Sequence, residues 1–305
     1  MLAVIGSCNV DLVFRIDRVP GPGETRIASN YSRHHGGKGA NQAVAARRAG
    51  AAVRLIAQLG EDEAGELFYQ SLAAEGIDLS GVHRSSLPTG SACILLEDSG
   101  ENRITVYPGA NRDRLQHDLQ TQLRDAVFVL AQLEIDPELV LHAARICRAR
   151  GIPFVLNASP VQDLSSELLS LTDLLVINAQ EAAQIVNQAL DPGNAMDAAR
   201  ELAHARMGAV ITLGEYGLVW ASGTEAARLP AYSVEISDST GCGDAFAGVF
   251  VASLAAGASL SASAQRANAA AALTATVIGA QDALPRQPEI EQFLASHTPL
   301  TEDRS

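Results

Sequence analysis

The chain has 305 residues with 22 Lys and Arg against 35 Asp and Glu, a net charge of −13 and a pI of about 4.9. That balance argues against the basic face that nucleic acid or an anionic membrane surface would require, though not against phosphate ligands held by local glycine loops and single lysines. Hydrophobic residues make up 47% and charged residues 19%, a globular composition with ample material for a core.

The chain opens on the apolar run Leu2–Ile5, with no basic leader, and no apolar run reaches about 18 residues, so neither a secretion signal nor a membrane span is expected. Leu2–Ile5 reads as a buried strand. Residues 9–36 hold P-G-P-G-E turns and little helical pattern. The turn H-H-G-G-K-G leads into a helix over Asn41–Ala49, followed by a strand at Val53–Leu59 and a helix at Glu63–Glu75. Within 88–108, S-A-C-I-L-L-E and R-I-T-V-Y flank the turn D-S-G-E-N and predict antiparallel strands, too close in sequence for a crossover helix. Together with 9–36 they form a small strand-rich flap. From about residue 126, strands and helices alternate: Ala126–Leu133, Pro137–Arg150, Pro153–Leu156, Leu174–Ile177, Glu181–Ala189, Ala195–Arg206 and Ala209–Leu213. That alternation predicts an α/β fold with a mostly parallel sheet. No repeat or linker divides the chain, so residues 1–296 are expected as one domain, with the polar tail 297–305 frayed. The four cysteines, Cys8, Cys93, Cys147 and Cys242, form no C-x-x-C pair and fit a reducing cytoplasm.

Ligands of open α/β sheets bind beyond the carboxyl ends of the strands, so polar residues after apolar runs carry the chemistry. S-T-G-C-G-D-A-F (239–246) opens an apolar helix. Its glycines let backbone N–H groups approach an anion, and the helix N-terminus adds about half a positive charge. Asp244 is then either an N-terminal acid cap or a base that takes a proton from an attacking hydroxyl. H-H-G-G-K-G-A-N-Q (34–42) is not a Walker A loop, because Gly39 follows Lys38; Lys38 is a turn lysine or a ligand for charge. The pair His34–His35 lacks metal-ligand spacing. In G-S-C-N-V-D (6–11), Asn9 and Asp11 share a side if the segment is extended, and suit a vicinal diol or simply a turn. The same segment lacks G-x-G-x-x-G, which argues against an NAD enzyme. Glu134 ends a strand. Asn178 and Glu181 form a capping-box pattern or lie near a phosphate-bound Mg²⁺, held through waters. T-L-G-E-Y-G (212–217) ends another strand with two glycines.

In order, G-S-x-N-x-D, G-G-K-G-A-N-Q-A, L-E, N-x-x-E, I-T-L-G-x-x-G and D-x-T-G-x-G-D-A-F resemble the ribokinase family of carbohydrate kinases, from residue 3 to about 285. The resemblance implies a three-layer fold with a β-lid, and ATP-dependent phosphorylation of a sugar's primary hydroxyl, O5 for ribose. It implies Asp244 as catalytic base, with the backbone of Gly241, Cys242 and Gly243 as anion hole. Asn9, Asp11, Gly37, Lys38, Gly39, Asn41 and Glu134 would line the sugar site, with Ala92 and Ile94 of the lid on the sugar's face. Asn178, Thr212, Gly214, Gly217, Gly243 and Asn268 would serve ATP, and Glu181 would serve Mg²⁺. Asp238, Thr240 and Gly279 would hold an activating K⁺, and a homodimer through the lid is expected. Two positions depart from the family pattern. Cys242 replaces the usual alanine, and a thiol at a helix N-terminus is expected to have a lowered pKa and to be reactive. Ala283 replaces a serine hydroxyl of the cation site, so a weaker K⁺ response is expected. A kinase for another pentose, a ketohexose or a nucleoside, and a catalytically silent protein on the same fold, remain alternatives; the intact Asp244, Lys38, Asn178 and Glu181 argue against silence.

Overall fold

A computed structural model describes residues 1–300 except 100, 114–117, 162–163 and 204–206. Gly100 of the flap turn, the end of the helix expected to reach Arg206, and residues 301–305 of the tail lie outside the described residues. The chain begins with β1 (Leu2–Ile5), leaves the body through β2 (Asn9–Ile16) and β3 (Asn30–Gly36), and returns by α1 (Lys38–Arg48), β4 (Val53–Gly60), α2 (Glu63–Ala74) and β5 (Asp78–Ser85). The strands β6 (Gly90–Glu97) and β7 (Asn102–Tyr107) rejoin the projecting pair. There follow α3 (Leu119–Gln122), β8 (Phe128–Ala131), α4 (Pro137–Arg150), β9 (Phe154–Asn157), α5 (Ser166–Leu171), β10 (Leu174–Asn178), α6 (Ala179–Val186), α7 (Ala195–Ala203) and β11 (Gly208–Thr212). The edge strands β12 (Leu218–Ser222) and β13 (Glu225–Leu229) precede α8 (Cys242–Ala255), α9 (Leu260–Ala275) and α10 (Gln287–Ser296).

Nine strands form the main sheet in the order β13-β12-β11-β10-β9-β8-β1-β4-β5, parallel except for the antiparallel pairs at β11–β12 and β12–β13. The sequence dictates this layout locally. β1, β4 and β9 are buried throughout and β8 all but Phe128, as largely apolar runs must be when helices cover both faces. Asp136 caps α4, Pro137 stands in its first turn, and Gly151 at φ 68° stops it. One apolar layer, with Val44, Phe246, Phe250 and Ile290, packs α1, α8, α9 and α10 on one face; a second, with Val140, Ile146 and Leu202, packs α4 and α7 on the other. This is the three-layer arrangement expected from the resemblance.

The flap is a separate four-stranded sheet, β3-β2-β6-β7. β6 and β7 pair antiparallel as expected, whereas β2 and β6 pair in parallel, joining segments some 80 residues apart that no local pattern connects. No helix among the described residues is long and apolar enough to cross a membrane. The tail differs from expectation: Leu300 N–H donates to Ala231 O at 2.8 Å, and His297 stacks on Phe293.

Candidate active site

The strand order of the main sheet reverses at β1, with β4 and β5 added on one side and β8 and β9 on the other although all run parallel, and such a switch point is the crevice where α/β sheets bind ligands. Ser7 and Asn9 leave β1 there, and Glu134 leaves β8. Glu134 Oε2 accepts from Ser7 Oγ at 2.6 Å and from Lys38 N at 3.0 Å, which ties the start of α1 to both strand ends. Gly37 enters that helix at φ 87°, where a Cβ would stand 2.7 Å from Asn9 N, so no side chain fits. Asn9 Oδ1 accepts from Asn111 Nδ2 at 2.8 Å, and Asn111 also bonds both backbone groups of Cys8.

Asp11 lies on the same face of β2 as Asn9, against Gly36. Burial, then the charges of Glu134 and Asp244, push its carboxyl up to about 6 against the pull of His34. Lys38 is the chain's only lysine. Burial disfavours its ammonium, but the carboxylates of Asp244, Glu134 and Glu181 outweigh burial and raise its pKa.

Asp244 stands in the first turn of α8, whose N-cap, Gly241 at φ 82°, has no side-chain cap. Asp244 is the acid of that first turn, favourably placed at the helix N-terminus, and its carboxylate also reaches a neighbouring helix. Asp244 Oδ2 accepts from Asn41 Nδ2 at 2.9 Å and Oδ1 from Gln42 Nε2 at 2.9 Å, both from α1. The helices approach closely because residue 248 is glycine; a Cβ there would lie 2.5 Å from Gln42 O. Asn41 Oδ1 is buried and has no hydrogen-bond partner among the described residues.

Beyond α8 opens a cavity of about 340 Å³ lined by Thr212, Gly214, Gly217, Cys242, Gly243 and Asn268, among others. Six of the residues expected to contact nucleotide or its phosphates thus line one space. Leu300 closes one side of it, so this part of the expected frayed tail is a wall of the cavity. Asn178 does not line it. Its side chain caps α6, accepting from Glu181 N at 2.9 Å, while Glu181 Oε2 accepts from Asn178 N at 2.9 Å.

The chain matches the pfkB family carbohydrate kinase profile over residues 1–287. The chain is a member of that family. A ribokinase of Haemophilus influenzae is 36% identical over 299 residues, covering 96% of this chain and 98% of its own. Among solved structures, the Thermotoga maritima ribokinase superposes with TM-score 0.90 at 30% identity, covering 97% of this chain and 99% of that one. An Arabidopsis thaliana ribokinase complexed with ribose and ATP gives 0.89 at 28%, covering 96% and 98%.

In this carbohydrate kinase the residues expected at a cation site also come together. Asp238 Oδ2 accepts from Gly279 N at 2.9 Å, and Oδ1 accepts from Thr240 N at 2.9 Å and Thr240 Oγ1 at 2.7 Å. Burial opposes the charge, but these donors hold the Asp238 carboxyl below its usual range. Ala283, on the loop that follows Gly279, is buried and offers no hydroxyl. Cys242 overturns its expectation: burial, then the charges of Asp238 and Asp244, push the thiol up to about 11 against the pull of a backbone hydrogen bond. Its N–H donates to Ser239 O at 3.3 Å, near the outer limit for a hydrogen bond.

Sequence reasoning missed Gln42, Asn111, Gln132 and Asn157. Gln132 and Asn157 are polar residues at the ends of buried apolar runs, so the rule that exposed Glu134 contained the signal for both.

Proposed function

We propose that this kinase transfers the γ-phosphoryl group of ATP to O5 of D-ribose, with Asp244 as general base. The observation that carries the reading is the placing of Asp244: it joins the sugar-side residues of α1 to the anion-binding end of α8 and is itself almost fully buried. Beside it, the unpartnered Asn41 Oδ1 is an acceptor that a sugar hydroxyl satisfies; left empty, it costs about 1–3 kcal/mol. The ribokinase relatives and the ribose and ATP complex of one of them support the choice of substrates.

In this mechanism Asn9 and Asp11 bind the sugar diol, and Lys38 offsets charge on the transferring group. Asp244 takes the O5 proton as O5 attacks phosphorus. Backbone N–H groups of Gly241, Cys242 and Gly243 receive the phosphoryl oxygens, and the Cys242 N–H exchanges its long bond to Ser239 for one of them. Mg²⁺ would be held by phosphates and waters, with Glu181 as an outer partner. When bound, that ion neutralises phosphate charge. Asp238, Thr240 and Gly279 would hold K⁺.

The flap acts as a lid over the sugar. Its register puts Ala92 and Ile94 of β6, and Ile104 and Val106 of β7, on the face of Asp11. Ile104 and Val106 are 54% and 53% exposed, an apolar row that a second lid would cover in a homodimer. Four unpaired thiols support a cytoplasmic setting.

A coupled ADP-release assay over ribose, deoxyribose, fructose and several nucleosides tests the reading. Ribose should give the highest kcat/KM. A higher value for another acceptor overturns the substrate, and no release with any overturns the activity. Asp244→Asn should lower kcat by about 10²–10⁴-fold with ATP still bound; a near-normal kcat overturns the base.

A further inference from the structure

Gln42, Gln132 and Asn157 lie inside the protein, with Gln42 and Gln132 fully buried. Burying an amide is unfavourable unless both of its ends find partners. Here the partners form a directed chain. Val176 O, a main-chain carbonyl of β10, can only accept. Asn157 therefore turns Nδ2 to it at 2.9 Å and faces Gln42 with Oδ1. Oδ1 can only accept as well, so Gln42 presents Nε2 at 2.9 Å. The second hydrogen of that same Nε2 goes to Asp244 Oδ1 at 2.9 Å. Gln42 Oε1, turned the other way, accepts from Gln132 Nε2. Reversing any one amide would set acceptor against acceptor. Gln132 even leaves its own Oε1 without a partner among the described residues while donating to Gln42.

We propose that Gln42, its orientation fixed by Asn157 and Gln132, is a positioning residue that holds Asp244 as a proton acceptor aimed at the sugar. The inference rests on the reading of Asp244 as base. The donor sense originates in a strand carbonyl that cannot rotate, passes through two amides, and ends on the carboxylate. Asn41 occupies the other oxygen from the next position on α1. A carboxylate held at both oxygens cannot swing away from the sugar hydroxyl, and losing the Gln42 donor removes a charge-assisted bond from its deprotonated form.

The test is the pH dependence of kcat and of both KM values from pH 5.5 to 9 for the wild type, Gln42→Met, Gln132→Met and Asp244→Asn. Gln42→Met should lose about 10–100-fold in kcat, with both KM values within about threefold. The acid limb of its kcat profile should move up by about one pH unit, since the donor favoured the charged base. Gln132→Met touches Gln42 and not Asp244, and should move the limb the same way by less. A purely structural role lowers stability and leaves the limb in place. A folded Gln42→Met with kcat within twofold of wild type, or with an unmoved limb, overturns the proposal. If Gln42→Met does not fold, an unmoved limb in Gln132→Met overturns it instead. A near-normal kcat in Asp244→Asn overturns the base reading itself, whereas a dead Asp244→Asn beside an unmoved Gln42→Met limb overturns only this inference.

Discussion

Asp11→Asn should make the empty protein more stable and a worse sugar binder at once. The Asp11 carboxyl is pushed from 3.8 up to about 6, first by burial and then by Glu134 and Asp244. A shift of about two units at about 1.4 kcal/mol each sets a ceiling near 3 kcal/mol for what the charge costs the folded state. Asparagine keeps the shape, removes the repulsion and still buries a polar group, so about 1–2 kcal/mol of that ceiling is expected as gain. The sign with pH follows from the direction of the shift. Because the folded pKa is raised, the folded state binds the extra proton between about 4 and 6, and wild-type stability falls as pH rises through that window. The variant's advantage is therefore full above about pH 6.5, shrinks below 6, and vanishes near 4. Urea unfolding of both proteins at pH 8, 6 and 4.5 measures it. Sugar binding moves the other way, because the ionised carboxylate is the better partner for two hydroxyls: the sugar KM should rise about 10–100-fold. In the wild type the same KM should climb as pH falls below 6, with no such climb in the variant. Equal or lower stability of Asp11→Asn at pH 8, or a gap that does not narrow with acid, would refute the reasoning.

With its thiol at about 11, Cys242 should resist iodoacetamide at pH 7.5, while the exposed Cys93 reacts first; peptide mass spectrometry over time checks this, and prior labelling of Cys242 contradicts it. Gly248→Ala should push α1 off α8, costing about 1–3 kcal/mol in thermal unfolding and lowering kcat through Asp244, because its Cβ would meet Gln42 O at 2.5 Å; an unchanged melting temperature and kcat would show that the helices part freely. KCl titrated against NaCl at fixed ionic strength should activate the wild type and not Asp238→Ala, since Asp238 bonds both Thr240 and Gly279; equal activity in the two salts would remove the cation role.

The central strands β1, β8, β9, β10 and β11 were legible because they are buried and read as apolar runs, whereas the polar edge strand β5 and the strands β12 and β13 were not read. α4 was read to the residue because Asp136, Pro137 and Gly151 punctuate it locally. The parallel pairing of β2 with β6 was not legible, since it depends on where a long excursion returns. The same division runs through the site. The order of short motifs pointed to Asn9, Lys38, Glu134 and Asp244, whereas Gln132 and Asn157 stood at strand ends with nothing in the sequence to say which helix crosses them. Asp244 shows why. Read locally, an acid in a first helical turn caps its own helix, a gain of about 1 kcal/mol. Gly248 lets α1 in, and two amides then offer the carboxylate charge-assisted bonds of about 1.5–3 kcal/mol each. The tertiary pair adds to the favourable place of the carboxylate at its own helix N-terminus, and it alone explains why both oxygens are held by α1, which no local pattern around residue 244 encodes.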